Sequence, residues 1–156
     1  WDINHFKVEE RPRHVFIAFQ LDNKKLKQDV NNAIFDTCGV KTISLHVNEK
    51  AQPNIHYIIN FTNKEVGRPY RDQLRYRGAD DKYNTGMLIT KTDFMTLYPI
   101  YHFDLERMPQ FTSGTGTIRL EADIDAPSNY TIHSVVLADK EMSFNGEGGE
   151  MRLKIK

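Results

Sequence analysis

Six histidines, one cysteine and a run of alternating carboxylates are the side chains of this sequence best suited to chemistry, and their spacing decides what they can do. His5, His14, His46, His56, His102 and His133 are scattered, with no His-x-x-x-His pair, and only His102-x-Asp104 is spaced like a ligand pair. A metal-holding jelly roll needs two histidines at His-x-His spacing, a carboxylate and a later histidine converging inside the barrel. That set is missing, so no metal and no cofactor is expected. A cupin-like enzyme would have to draw on His102 and His133 as ligands, and the simpler reading is solvent-facing or hydrogen-bonded strand histidines.

Nucleophilic catalysis has no better footing. Cys38 stands beside Gly39 in a turn with no base near it in sequence, and no Gly-x-Ser-x-Gly elbow occurs. Cys38 therefore reads as packing. Glu121, Asp123 and Asp125 alternate on one strand face, a pattern that serves a cation or an acid/base pair but more often forms a solvated or interface edge. The glycines of Ser113-Gly114-Thr115-Gly116 and Gly146-Glu147-Gly148-Gly149 lack the following helix and lysine of a phosphate-cradling loop. No enzyme is expected.

The elements that position these residues follow from periodicity. Apolar side chains alternate with polar ones from Thr42 to Asn48, from Thr117 to Asp125 and from Met151 to Ile155, which is the signature of half-buried strands. His14 to Gln20, Ile55 to Phe61, Tyr98 to Leu105 and Thr131 to Ala138 are apolar or β-branched on both faces and read as central strands. Ile3 to Val8 and a short piece at Ala33 to Phe35 add two more. Thr62 to Thr92 has no alternation; it opens with a possible capping box, Thr62-Asn63-Lys64-Glu65, and a short helix is expected at about 69 to 76, with Pro69 in its first turn and Gly78 just past its end. Successive strands without alternating helices predict an all-β fold, an antiparallel jelly-roll sandwich of about eight strands. An immunoglobulin-like sandwich is the alternative, disfavoured by the helical insertion and the lack of a Cys…Trp…Cys pattern.

Composition narrows the partners. The 156 residues carry 21 Lys+Arg against 21 Asp+Glu, so the domain-wide basic footprint of a nucleic-acid binder is absent. Roughly a quarter of the chain is Leu, Ile, Val or Phe, enough for one sizeable core and a single domain over 1–156. The single cysteine rules out an intrachain disulfide and fits a reducing compartment. No apolar run approaches the roughly 18 residues of a membrane span, and Trp1-Asp2-Ile3-Asn4 does not read as a signal peptide; a fragment, a processed product or a trimmed chain is expected. The charges are unevenly placed: Lys64, Arg68, Arg71, Arg75 and Arg77 face only Glu65 and Asp72 in one stretch, while 121–150 holds seven acidic residues against Lys140. Ordinary surface variation accounts for this, or copies of the chain dock the basic helix (Arg71, Arg75, Arg77) against the acidic edge (Glu121, Asp123) in a ring.

Several segments, in order, carry a resemblance. Arg11-Pro12-Arg13-His14-Val15-Phe16-Ile17-Ala18-Phe19 is followed by Asn31-Asn32-Ala33-Ile34-Phe35-Asp36 and by Val40 to Asn48 with a later Pro53. Then come Arg68-Pro69-Tyr70, Leu97-Tyr98-Pro99-Ile100-Tyr101-His102-Phe103-Asp104-Leu105, Thr117 to Glu121 and Tyr130 to Ala138. This series resembles the C-terminal jelly roll of double-jelly-roll major capsid proteins, particularly those of Polinton/Maverick elements, adintoviruses and virophages. The resemblance implies a structural viral protein in the virion capsid, made inside the host cell. It also implies homotrimers that form pseudo-hexameric capsomers of an icosahedral shell beside other capsid proteins such as a penton, with this chain the C-terminal half of each subunit and Trp1 near the junction of the two rolls. A second reading is a carbohydrate- or protein-binding β-sandwich whose site is built from Tyr76, Tyr83, Phe111 and Tyr130.

Overall fold

The computed structural model describes residues 2–8, 12–24, 27, 31, 33–48, 50–76, 89–106, 116–126, 129–138, 142–147 and 150–155. Nine strands and two α-helices are set out along them: β1 (Asp2–Val8), β2 (Pro12–Leu21), β3 (Val40–Val47), β4 (Lys50–Ile58), α1 (Gly67–Tyr76), α2 (Lys91–Thr96), β5 (Tyr101–Asp104), β6 (Gly116–Ile124), β7 (Tyr130–Ala138), β8 (Met142–Glu147) and β9 (Glu150–Ile155). None of these helices is long and apolar enough to cross a membrane.

Two antiparallel sheets form the body, a four-stranded one in the order β1-β6-β3-β4 and a three-stranded one in the order β5-β2-β7. From β1 to β7 the chain changes sheet at every connection except the tight β3–β4 turn. As a result β3 pairs with β4, β2 with β5 and β1 with β6, like a long hairpin rolled over itself. The rolled pairs are then knitted together by β3 against β6 and β2 against β7. This is a jelly-roll sandwich, with a strand order unlike that of an immunoglobulin fold. The expected count of about eight strands is corrected to seven in the two sheets, four facing three. The hairpin β8–β9 forms a separate two-stranded sheet.

Alternation is what builds the core. From β3, Ile43, Leu45 and Val47 point inward; from β6, Ile118, Leu120 and Ala122; from β2, Val15, Ile17 and Phe19; from β5, Tyr101 and Phe103. All are buried, and they meet as one cluster between the sheets. Gly39 sets the entry to β3. Its φ is +62°, and a Cβ there would overlap the Asp125 carbonyl oxygen, so only glycine lets the turn pass this close to the end of β6.

Three expectations from the sequence change. Thr62-Asn63-Lys64-Glu65 is a turn, not a capping box, because the Glu65 N–H donates to the Asn60 carbonyl and Asn60 and Glu65 form a bridge. The capping box belongs to Thr90 and Asp93 at the start of α2, a second helix in the insertion where one was expected. The Ala33 to Phe35 piece is not a strand; only Asp36 bridges to Phe19. Strand β4 begins at Lys50, not Ile55, since four residues (Pro53 to His56) bulge opposite Ser44 and mask the alternation.

Candidate functional site

Two regions outside the core gather chemically active side chains, one on the outer face of each sheet, and the larger lies on the three-stranded one. Because Val15 and Ile17 face inward, His14 and Phe16 face outward. The register that pairs Phe16 with His102 and His14 with Asp104 sets the β5 residues beside them. Helix α1 lies against β5: its Pro69 and Gln73 are buried, Arg71 and Arg75 are exposed, and Tyr76 at its end packs on this face. Tyr76 sits edge-on to His14 (4.8 Å) and Phe16 (4.7 Å), and Phe16 stacks on His102 at 4.9 Å.

A cleft of about 440 Å³ opens where α1, β4 and β5 meet. The Tyr57 hydroxyl donates to Asp72 Oδ2 at 2.7 Å and also lies 3.3 Å from the His102 carbonyl. Burial and the Asp72 carboxylate both push the Tyr57 phenol far above its ordinary range. Arg68 lies over the Tyr57 ring at 5.5 Å and donates to the Ile55 carbonyl. Together with Gln52, which donates to the Asp104 carbonyl at 3.1 Å, these contacts tie the β4 edge of one sheet to the β5 edge of the other.

The histidines of the cleft have assigned roles. The Asp72 carbonyl can only accept, so His102 Nδ1 donates to it at 2.9 Å, and neutral His102 then accepts at Nε2 from His14 Nδ1, 3.2 Å away. Burial holds His102 below the ordinary imidazole range and so favours that neutral form. His14 Nε2 lies 3.6 Å from Glu106, a contact that becomes an ion pair when His14 is protonated. His102 thus spends both ring nitrogens on structure, whereas His133 on β7 packs beside Phe35 at 5.6 Å. The structure does not bring His102 and His133 together.

The outer face of the four-stranded sheet holds a second polar series. His56 Nδ1 lies 2.7 Å from Ser44 Oγ, and His46 Nε2 lies 2.8 Å from Glu121 Oε2. Ser44 is wholly buried beneath the β4 bulge, so this pairing closes the bulge rather than presenting a nucleophile. Cys38 is buried too, and burial followed by the Asp36 carboxylate pushes its thiol up to about 11.

Of the residues singled out in the sequence, Arg71 and Arg75 lie exposed on α1, Arg75 3.6 Å from Asp72. Glu121 and Asp123 lie on β6 in the other sheet. Glu121 is engaged by His46 and lies 3.7 Å from Arg119, while Asp123 is exposed. No ion pair joins the α1 set to the β6 set among the described residues. Arg77, Tyr83 and Phe111 lie outside the described residues. Tyr76 and Tyr130 are not loop partners: Tyr76 packs on the outer face, while Tyr130 lies 6.0 Å from core Phe19. The cleft itself was hidden from sequence reasoning, because His14, Asp72 and His102 are far apart in the chain; His102-x-Asp104 was the only local signal.

Beside the cleft, the same outer face continues as an apolar surface lined by Phe16, Phe35, Ile100, Val135 and Leu137. No curated protein and no solved structure gave a significant match. The family model described as a double jelly roll-like domain matches residues 1–142, ending where β8 begins. That span takes in both sheets and the α1 and β5 elements that form the cleft, and the chain belongs to the double jelly roll-like domain family.

Proposed function

We propose that this chain is a structural domain of a viral major capsid protein of the Polinton, adintovirus or virophage kind, and that it carries no reaction of its own. Residues 1–156 would be a single jelly-roll domain, the C-terminal half of a longer subunit. Three subunits of two rolls each form a pseudo-hexameric capsomer of an icosahedral shell, with a penton-type protein as a further partner. The observation that supports this reading is the membership of the double jelly roll-like family, coupled with a strand order that rolls one hairpin into two facing sheets. A shell subunit needs a stiff sandwich with its polar groups tied down, and the His14–His102–Asp72 and His56–Ser44 contacts do that at both outer faces. Function then resides in surfaces, with Arg71, Arg75 and Arg77 set against Glu121 and Asp123 of a neighbouring copy. Sedimentation of the full-length protein tests this: a trimer at micromolar concentration is expected, and a monomer at all concentrations contradicts it.

A second reading has one observation in its favour. The α1–β4–β5 cleft combines the exposed Tyr76 ring with Gln52, Arg68 and Asp104, a mixture of ring and polar groups that suits a sugar. Binding on a glycan array that is lost in Tyr76→Ala favours a carbohydrate-binding module; a blank array rejects it.

A further inference from the structure

We propose that His14 and Glu106 form an acid-operated clasp at the rim of the α1–β4–β5 cleft, open while His14 is neutral, shut by the first proton the histidine pair takes up and undone by a second. It follows from the hydrogen-bond directions along the His102–His14 chain. Neutral His102 accepts at Nε2, so His14 must donate from Nδ1, and the single ring proton of a neutral His14 is spent there. His14 Nε2 is then a bare lone pair facing Glu106 Oε1 at 3.6 Å, acceptor against acceptor and too long for a hydrogen bond. Protonation adds a donor at this nitrogen and leaves the Nδ1 bond as it was.

The backbone holds the two side chains within reach of each other. The Leu105 N–H donates to the Arg13 carbonyl at 2.8 Å, and the Glu106 N–H donates to Asp104 Oδ1 at 2.9 Å, so the chain leaving β5 turns beside the start of β2. Arg13 Nη1 lies 3.8 Å from the same Glu106 oxygen. A shut clasp therefore seats the carboxylate between a guanidinium and an imidazolium. Both residues line the cleft, and their side chains are 18% and 48% exposed, open enough for a proton to arrive.

The other groups about His14 have assigned places. On α1, Asp72 accepts from Tyr57 of β4 and lies 3.6 Å from Arg75, Arg68 donates to the Ile55 carbonyl, and Tyr76 meets the His14 ring edge-on. On β4, Gln52 donates to the Asp104 carbonyl. Strand β7 sets Leu137 opposite His14; its titratable groups, His133 and Tyr130, pair with Ala18 and Leu21 further along. That leaves His102. It is 2% exposed, and burial holds it below the ordinary imidazole range, which makes it the worse place for the first proton. A proton forced onto His102 in stronger acid removes the acceptor that His14 Nδ1 needs and sets two cations 3.2 Å apart, which drives the His14 ring away and opens the clasp. The pair thus holds one proton with the clasp shut, and none or two with it open.

Imidazole 15N spectra of the histidine-labelled full-length protein, read from about pH 8 to pH 4, test this, with His14 assigned by its loss in His14→Gln. At the alkaline end His14 should carry its proton on Nδ1 and none on Nε2; the opposite tautomer overturns the proposal. As the pH falls His14 should gain its Nε2 proton while His102 Nε2 stays bare, and simultaneous charging of both rings overturns it. The new His14 Nε2 proton should exchange with water at least about 10-fold more slowly than the same proton in Glu106→Gln, a change at a half-exposed side chain. Equal exchange in the two proteins means that Glu106 holds nothing, and the clasp is rejected.

Discussion

Tyr101 shows how a side chain in the middle of the core can work against the fold that holds it. The ring is fully buried beside Phe19 and Phe94, yet its hydroxyl has no hydrogen-bond partner among the described residues, and burial pushes the phenol far above its ordinary range. A buried hydroxyl without a partner costs about 1–3 kcal/mol. Tyr101→Phe is therefore expected to be neutral or to stabilise the domain by about 1 kcal/mol, read as an unchanged or higher urea midpoint; a loss of more than about 1 kcal/mol would mean that the hydroxyl is satisfied. His102 makes the opposite kind of statement. Its ring is held below the ordinary imidazole range by burial, so below about pH 6.5 the unfolded chain binds a proton that the folded one refuses. This contribution to stability is present in full above about pH 6.5 and is lost as the pH falls from there through the lowered value. The urea midpoint should drop between pH 7.5 and pH 5, and His102→Asn should flatten the drop. An equally steep drop in the variant would assign the effect to other groups.

At the scale of elements, tight connections carry more of the fold than any one strand. Gly39→Ala places a methyl group against the Asp125 carbonyl and forces a positive φ on an alanine, so a destabilisation of at least about 1–3 kcal/mol is expected in thermal or urea unfolding. An unaffected midpoint would show that the turn relaxes freely. The strands were legible wherever one face is apolar and the other is not, as in β3 and β6, because burial imposes period two directly on the sequence. Helix α1 was legible from Pro69 and from the loss of alternation around it. Strand β4 was misplaced because the bulge of Pro53 to His56 breaks the period, and α2 was missed because six residues are too few for a helical pattern to declare itself. The cleft was the least legible feature. His14 and His102 meet through the register of β2 and β5, and register is a property of the assembled sheet rather than of either segment.

For the whole molecule, the family of the fold is firmer than the surfaces it uses. The nested pairing and the double jelly roll-like match cover the same residues, so architecture and family agree. The surfaces are a matter of charge, and charge is read from placement: Arg71 and Arg75 are exposed on α1, and Asp123 is exposed on β6. Reversing Arg71, Arg75 and Arg77 to Glu should weaken assembly of the full-length protein by about 10-fold or more, with the unfolding midpoint moved by less than about 0.5 kcal/mol, since surface changes of this kind rarely do more. Unchanged assembly would remove the basic helix from the contacts. The measurement that bears most directly on the central claim is electron microscopy of the purified full-length protein. Pseudo-hexagonal particles with three-fold symmetry, each subunit contributing two rolls of the β1-β6-β3-β4 and β5-β2-β7 kind, are the predicted result. Dispersed monomers in which the α1–β4–β5 cleft holds a ligand would contradict it.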